Sequence, residues 1–252
     1  MTAELFSYLI YGWIVLAVIV FPIQLFVTAP YGRHQRSGWW PVIDNRFGWI
    51  VMEIVSPVIF AIFFLSGPSE KTTALWIIFC LWMTHYVHRS VIFPMRMQTS
   101  GKVIPVMIVV MAASFNAANG WANGWYLGSG FGSYPISWLT DPRFILGLAI
   151  FFVGAYINIT SDNSLLGLRR DGETGYRIPQ GRVFNLVSCP NHLGEIIQWT
   201  GFAILCWNLP ALAFSIWTAA NLIPRAIAHH KWYRNTFPNF PADRKALIPY
   251  LL

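Results

Sequence analysis

Glu53 lies inside the apolar run FGWIVMEIVSPVIF, and Tyr86 lies inside CLWMTHYVHRSVIF. A carboxylate is costly to bury in so apolar a stretch, so it is expected to face a bundle interior and to have a partner there. Glu53 sits five residues past Gly48, where its apolar segment begins, and Tyr86 sits seven residues before Phe93, where its segment ends. At the helical rise these offsets place the two groups roughly 8 and 10 Å in from the same side of a bundle. At matched depth they can hydrogen-bond, and a phenol held by a carboxylate can donate to a carbonyl oxygen on which charge develops. The alternative is that Glu53 only pairs structurally with a basic residue or a backbone group. Around Tyr86, the spacings Tyr86–Arg89 and His85–Arg89 put each pair on one helical face. His85 and His88 lack an HxxxH or HxxE pattern with further ligands, so no metal is expected. Arg89 then reads as an anion contact or as a snorkelling cation.

A second set of groups follows the run Phe144–Ile159. Between it and the run Ile196–Leu205 lies a polar, basic segment holding Asn158, Asp162, Arg169, Arg170, Tyr176, Arg177, Asn191 and Glu195. Three pairs there and beyond share a four-residue spacing: Asn158 with Asp162, Asn191 with Glu195, and His229 with Tyr233. On a helix each pair presents two polar groups on one face. A single pair is commonly a cap, and PNHLGE can be read as a helix start capped by Asn191. Three pairs converging at one mouth favour a site instead. Asn and Asp suit amide and ribose hydroxyl groups, and Arg169, Arg177 and Arg225 suit phosphates, which arginine grips bidentately. Neither GxGxxG after a strand nor GxxxxGK[ST] occurs, so a nucleotide would have to be held by helix ends and loops.

The elements that must position these groups are apolar helices. Of 252 residues, 56% are hydrophobic and 11% charged, against roughly a quarter charged in soluble domains. The reading is an all-α, polytopic membrane protein of one domain, residues 1–252, with seven transmembrane helices. The spans are roughly Leu5–Val27, Gly48–Leu65, Ala74–Phe93, Val103–Ala118, Phe144–Ile159, Leu193–Cys206 and Ala211–Ile223. With seven spans, 15 of the 17 Lys and Arg fall on one side and only Lys71 and Arg143 on the other. This places the N-terminus outside and the C-terminus in the cytosol. The Gly-, Trp- and Tyr-rich stretch NGWANGWYLGSGFGSYPISWLTDP reads as an outer loop with an aromatic belt. The formal charge of +7 reports topology and anionic lipid, and no basic soluble module points to nucleic acid. Cys80, Cys189 and Cys206 form no CxxC pair, which argues against a disulfide framework or a zinc site. The start MTAELFSYLI lacks a basic n-region and reads as a retained span.

Taken together, INITSD, GYRIPQGRVFNLVSCPNHLGEIIQWTGFA, LPALAF and RAIAHHKWYRNTFPNFPADRKALIPYLL, with HYVHRS and the lone Glu53, resemble the steroid 5α-reductase family of membrane enzymes. The resemblance implies NADPH-dependent reduction of the Δ4 double bond of a 3-oxo-steroid or a related lipid enone, in the bacterial inner membrane or the endoplasmic reticulum. It implies Glu53 and Tyr86 as catalytic residues. Arg89, Asn158, Asp162, Arg169, Tyr176, Arg177, Asn191, His229 and Tyr233 become NADPH contacts on the cytosolic side, and Trp49 lines the steroid pocket. The substrate would enter from the bilayer. Two other readings remain at this stage. A membrane methyltransferase of the isoprenylcysteine kind would bind adenosylmethionine, and a non-catalytic lipid-binding protein would tolerate changes at Glu53 and Tyr86.

Overall fold

The computed structural model describes all residues except Ser100 and residues 169–174. Its long elements are helices α1 (Ala3–Phe26), α2 (Asn45–Ser66), α3 (Thr73–Val87), the short α4 (Phe93–Arg96), α5 (Val106–Ser129), α6 (Pro142–Leu166), α7 (Pro190–Cys206) and α8 (Leu209–Thr236). Strands β1 (Val42–Asp44) and β2 (Val103–Pro105) form one antiparallel pair with Ile43 opposite Ile104. A π-helical turn, His88–Ile92, joins α3 to α4, so every stretch predicted as a span is helical over at least most of its length. Among the described residues four helices, α1, α2, α6 and α8, are long and apolar enough to cross a membrane.

The largest departure from the sequence reading is α5. It was expected to end near Ala118 and to be followed by an outer loop, yet the helix runs on to Ser129 and Val103–Pro105 is strand. The glycines that made this segment look like a loop are packing positions. A Cβ on Gly120 would lie 2.7 Å from the Ser56 carbonyl oxygen, and one on Gly124 would lie 2.5 Å from that of Phe60. Glycine at every fourth residue lets two helix backbones approach closely where side chains would hold them apart. Similarly, α8 extends past the expected Ile223 to Thr236, carrying Arg225, His229 and Tyr233 on a continuous helix.

Contacts divide the chain into two compact units. The first comprises Met1–Ile10, Ala29–Phe144 and Asn208–Pro210. In it the β1–β2 pair and the bonds Asn45 N–H to Lys102 O and Val106 N–H to Pro41 O tie the start of α2 to the start of α5. Asp44 caps α2 by accepting from the Phe47 amide at 2.9 Å, an ordinary N-cap. Deeper in, Phe60 stacks on Trp82 at 4.7 Å and Phe64 packs on Phe79 at 4.8 Å. Phe6 lies against Trp125 at 4.5 Å.

The second unit comprises Tyr11–Thr28, Ile145–Trp207 and Ala211–Leu252. Its spine is the α6–α7 pair. Gly147 and Gly154 on α6 face Gly201 and Gly194 on α7, so a Cβ on any of them would lie 2.5–2.7 Å from a carbonyl oxygen of the partner helix. Trp199 fills the adjoining core against Phe214 at 4.5 Å. The tail returns along the segment before α7, with Lys245 N–H bonded to Leu186 O, Ser188 N–H to Lys245 O and Cys189 N–H to Ala246 O. Asn191 is not the cap of α7. The N-cap is Cys189, with no side-chain bond, and Asn191 stands in the first turn with its amide used elsewhere.

Candidate active site

In the first unit α2 and the α3–α4 segment bring together Trp49, Glu53 and Arg89, with Tyr86 three residues before Arg89 near the end of α3. Pro94 lacks the N–H that would bond the Ser90 carbonyl, and the backbone opens into the π turn just before it. Such turns are frequent at functional sites because they re-aim a side chain within a helix. Here the turn carries Arg89. Its guanidinium lies 4.0 Å from the Glu53 carboxylate, each side chain 15% exposed. It also lies 5.0 Å over the Trp49 ring and 5.2 Å over that of Phe93. A pair at this distance in half-buried surroundings is worth a few kcal/mol at most, of order 4 at an effective dielectric of 20, and two aromatic faces each add about 0.5–2 kcal/mol. The ion pair and the two ring faces are thus of comparable size, and the cation is held by both. Tyr86 is 3% exposed, with His85 and Trp82 against its ring at 5.1 and 5.3 Å, and Ser90 Oγ donates to its backbone carbonyl at 2.6 Å. On the other flank of α2, the Asn116 amide donates to Met52 O at 2.7 Å, holding the backbone one residue before Glu53. This buried contact was missed in the sequence, although Asn116, Asn119 and Asn123 at helical spacing beside Gly120 and Gly124 are its signal.

In the second unit, Asn158 and Asp162 on α6 meet Asn191 on α7. Asn158 Nδ2 donates to Asn191 O at 2.9 Å, and Asn191 Nδ2 donates to Asp162 Oδ1 at 3.0 Å. Asn158 and Asp162 are each 3% exposed. With both amide NH2 groups turned toward protein acceptors, the side-chain oxygens of Asn158 and Asn191 are left as acceptors for a bound molecule. Those oxygens suit carboxamide N–H and sugar O–H donors. His229, on α8, lies beside His192 of α7 at 5.6 Å. Tyr176 packs on Trp232 at 5.0 Å, placing the Tyr176–Arg177 segment against α8. Tyr233 is buried, stacked on Phe240 at 5.5 Å. Arg169 lies outside the described residues.

Arg244 was read in the sequence only as a cytosolic charge. It is in fact 3% exposed, donates to Pro179 O at 3.0 Å and lies 5.1 Å from the Phe240 ring. Burial lowers the pKa of its guanidinium, opposed by Tyr233. Its position pins the tail to the loop that carries Tyr176 and Arg177.

These residues can also be placed against known proteins. A family profile described as 3-oxo-5-alpha-steroid 4-dehydrogenase matches residues 102–252. The chain is 37% identical over 98% of its length to a steroid 5-alpha-reductase DET2 of Gossypium hirsutum, covering 97% of that protein. The chain belongs to the steroid 5α-reductase family. Within the family it is similar to the 3-oxo-5-alpha-steroid 4-dehydrogenase 1 of Bos taurus, 36% identical over 94% of this chain and 93% of the relative. The human protein of the same name is 36% identical over 88% of this chain and 85% of its own length. Family membership makes this chain an oxidoreductase, and its four apolar helices suit an integral membrane protein. The profile match starts at Lys102, so it contains the Asn158–Asn191–Asp162 network, whereas Glu53 and Tyr86 are reached only by the full-length relatives.

Proposed function

We propose that this chain reduces the C4–C5 double bond of a 3-oxo-steroid, or of a related lipid enone, with hydride from NADPH. The observation that carries the reading is the buried Tyr86 on the segment whose π turn sets Arg89 against Glu53 and Trp49, in a chain of this family. Tyr86 donates its phenolic proton to the substrate carbonyl in a hydrogen bond, and Glu53 orients the phenol. As C5 accepts hydride, charge collects on the carbonyl oxygen and the Tyr86 bond strengthens. A proton then adds at C4. Arg89 holds Glu53 in place and Trp49 lines the steroid side of the pocket.

NADPH supplies the hydride when bound. The acceptors at Asn158 and Asn191 match its carboxamide and ribose donors, Tyr176, His229 and Tyr233 complete its surroundings, and Arg177 with Arg169 provides charge for phosphates. The chain acts as one domain, crossing the membrane seven times with its N-terminus outside and its C-terminus and cofactor residues in the cytosol. The one-sided Lys and Arg distribution supports that topology.

The test is NADPH oxidation by the purified chain with an enone steroid. Glu53→Gln and Tyr86→Phe should each lower kcat about 10²–10³-fold, the usual loss for one transition-state donor. Near-normal turnover in either variant removes that residue from the mechanism.

A further inference from the structure

A cleft of about 380 Å³ lies on the second unit, away from the residues already described. It is lined on α6 by Tyr156, Thr160, Ser161 and Ser164, and on the loop before α7 by Arg182 and Leu186. At 100° per residue Tyr156, Thr160 and Ser164 lie roughly 140–180° around α6 from the midpoint of Asn158 and Asp162, and Ser161 lies roughly 80° away at the edge of the cleft. Tyr156 and Thr160 also lie roughly 130–170° around from the midpoint of Gly147 and Gly154, which pack against α7. This is a different face from the nucleotide residues.

The cleft has a cation and donors to offer. Arg182 makes no hydrogen bond or ion pair with another described residue, and neither do the hydroxyls of Tyr156 and Ser161. Thr160 and Ser164 direct their own protons to backbone carbonyls at 2.7 and 2.9 Å. No carboxylate lines the cleft. Below it, the same face of α6 exposes Ile145, Leu146, Phe152, Val153 and the Tyr156 ring. From Ile145 to Tyr156 this apolar strip is roughly 16 Å long at the helical rise, close to the roughly 15 Å half-thickness of a bilayer's hydrocarbon. An apolar strip one leaflet deep ends at a lone guanidinium ringed by hydroxyls.

We propose that the cleft and strip together bind one anionic phospholipid. Its phosphodiester sits on Arg182, its headgroup hydroxyls meet Tyr156 and Ser161, and an acyl chain lies along Ile145–Tyr156. A zwitterionic headgroup would add a cation that no group of the cleft matches, so the site selects the anionic class. The proposal is independent of the steroid reaction and of which residues carry it.

Arg182 allows a clean test. Its φ is +49°, a left-handed conformation that side chains disfavour and glycine adopts freely. Arg182→Gly therefore removes the charge while relaxing the backbone. The full chain is taken from nanodiscs holding equal amounts of phosphatidylglycerol and phosphatidylcholine with identical acyl chains, and retained lipid is counted by native mass spectrometry. One phosphatidylglycerol per chain is expected, favoured at least about tenfold over phosphatidylcholine, with each tenfold matching 1.4 kcal/mol. In Arg182→Gly that preference should vanish while the unfolding temperature is no lower. Arg182→Gln serves if the glycine variant does not yield folded chain. Equal retention of the two lipids, undiminished phosphatidylglycerol on both variants, or full displacement by millimolar inorganic phosphate would overturn the proposal, the last by making this a site for free phosphate.

Discussion

In the α6–α7 pair the glycines stand on both helices, and the polar network crosses the seam they create. Gly194 is packed directly on the Asn158 backbone, and the Asn158–Asn191 bond is a bond between those two helices. In the α2–α5 pair the glycines that meet the α2 helix backbone, Gly120, Gly124 and Gly128, stand on α5, whereas Gly48 of α2 meets side chains, Ile104 and Val109 among them. The three on α5 meet α2 from Ser56 onward, past Glu53, whose neighbourhood is fixed instead by the Asn116–Met52 bond and by Arg89 over its aromatic faces. One polar centre is built into its helix seam, and the other is built beside it. The first depends on how closely two backbones approach, while the second depends on where one π turn aims a cation.

That difference predicts unequal responses to the same kind of change. Gly194→Ala should have the largest effect, because the added methyl falls on the Asn158 backbone and the Gly154 carbonyl. Overpacking of this kind costs about 1–3 kcal/mol. Parting the helices also breaks the amide network, so KM for NADPH should rise about tenfold or more, consistent with about 1–3 kcal/mol for buried groups left unpaired. Thermal unfolding in detergent and initial rates against NADPH report the two losses separately. Gly124→Ala should show a similar loss of stability with KM and kcat per folded chain close to the parent values, because its clash is with Phe60. If Gly124→Ala raised KM for NADPH as much as Gly194→Ala, the distinction between the two seams would fail.

The sequence carried the helices and the polar pairs further than it carried the packing. A four-residue spacing was enough to put Asn158 and Asp162 on one face, because helical period alone decides that. It could not say that Asn191 would leave its capping role and reach Asp162, because that needs the α6–α7 distance, which the glycines set. The same glycines, read as loop-formers, concealed the second half of α5. They are poor helix residues in water, but close packing against the α2 backbone outweighs that propensity. Glu53 was legible as a costly buried acid. One of its partners in the structure is Arg89, which the sequence left between anion contact and snorkelling cation because a π turn changes the helical register. Arg244 was illegible for the opposite reason: it lies in a polar tail, and only the return of that tail along residues 186–189 buries it.

A smaller prediction concerns another ion pair of the first unit. Arg143 grips Asp141 with Nε to Oδ1 at 2.9 Å and a terminal nitrogen to Oδ2 at 2.8 Å, far tighter than Arg89 on Glu53 at 4.0 Å. Yet this pair is only half-buried at the start of α6, where water screens it and its contribution is small. The Arg143 hydrogen bonds hold the Asp141 carboxyl at about 2 instead of 3.8. The native carboxylate therefore binds its proton more weakly than the unfolded one. The pair's contribution is complete above the unfolded pKa and is lost as pH falls from there toward the folded one. Asp141→Asn should lower the unfolding temperature slightly near neutral pH, converge with the parent as pH approaches 2, and leave turnover unchanged. An equal effect at both ends of that range would mean the carboxylate's charge is not what the pair contributes. A change in turnover would mean that the tight pair at the start of α6 governs the chemistry, and the loose one on Glu53 would lose its claim to do so.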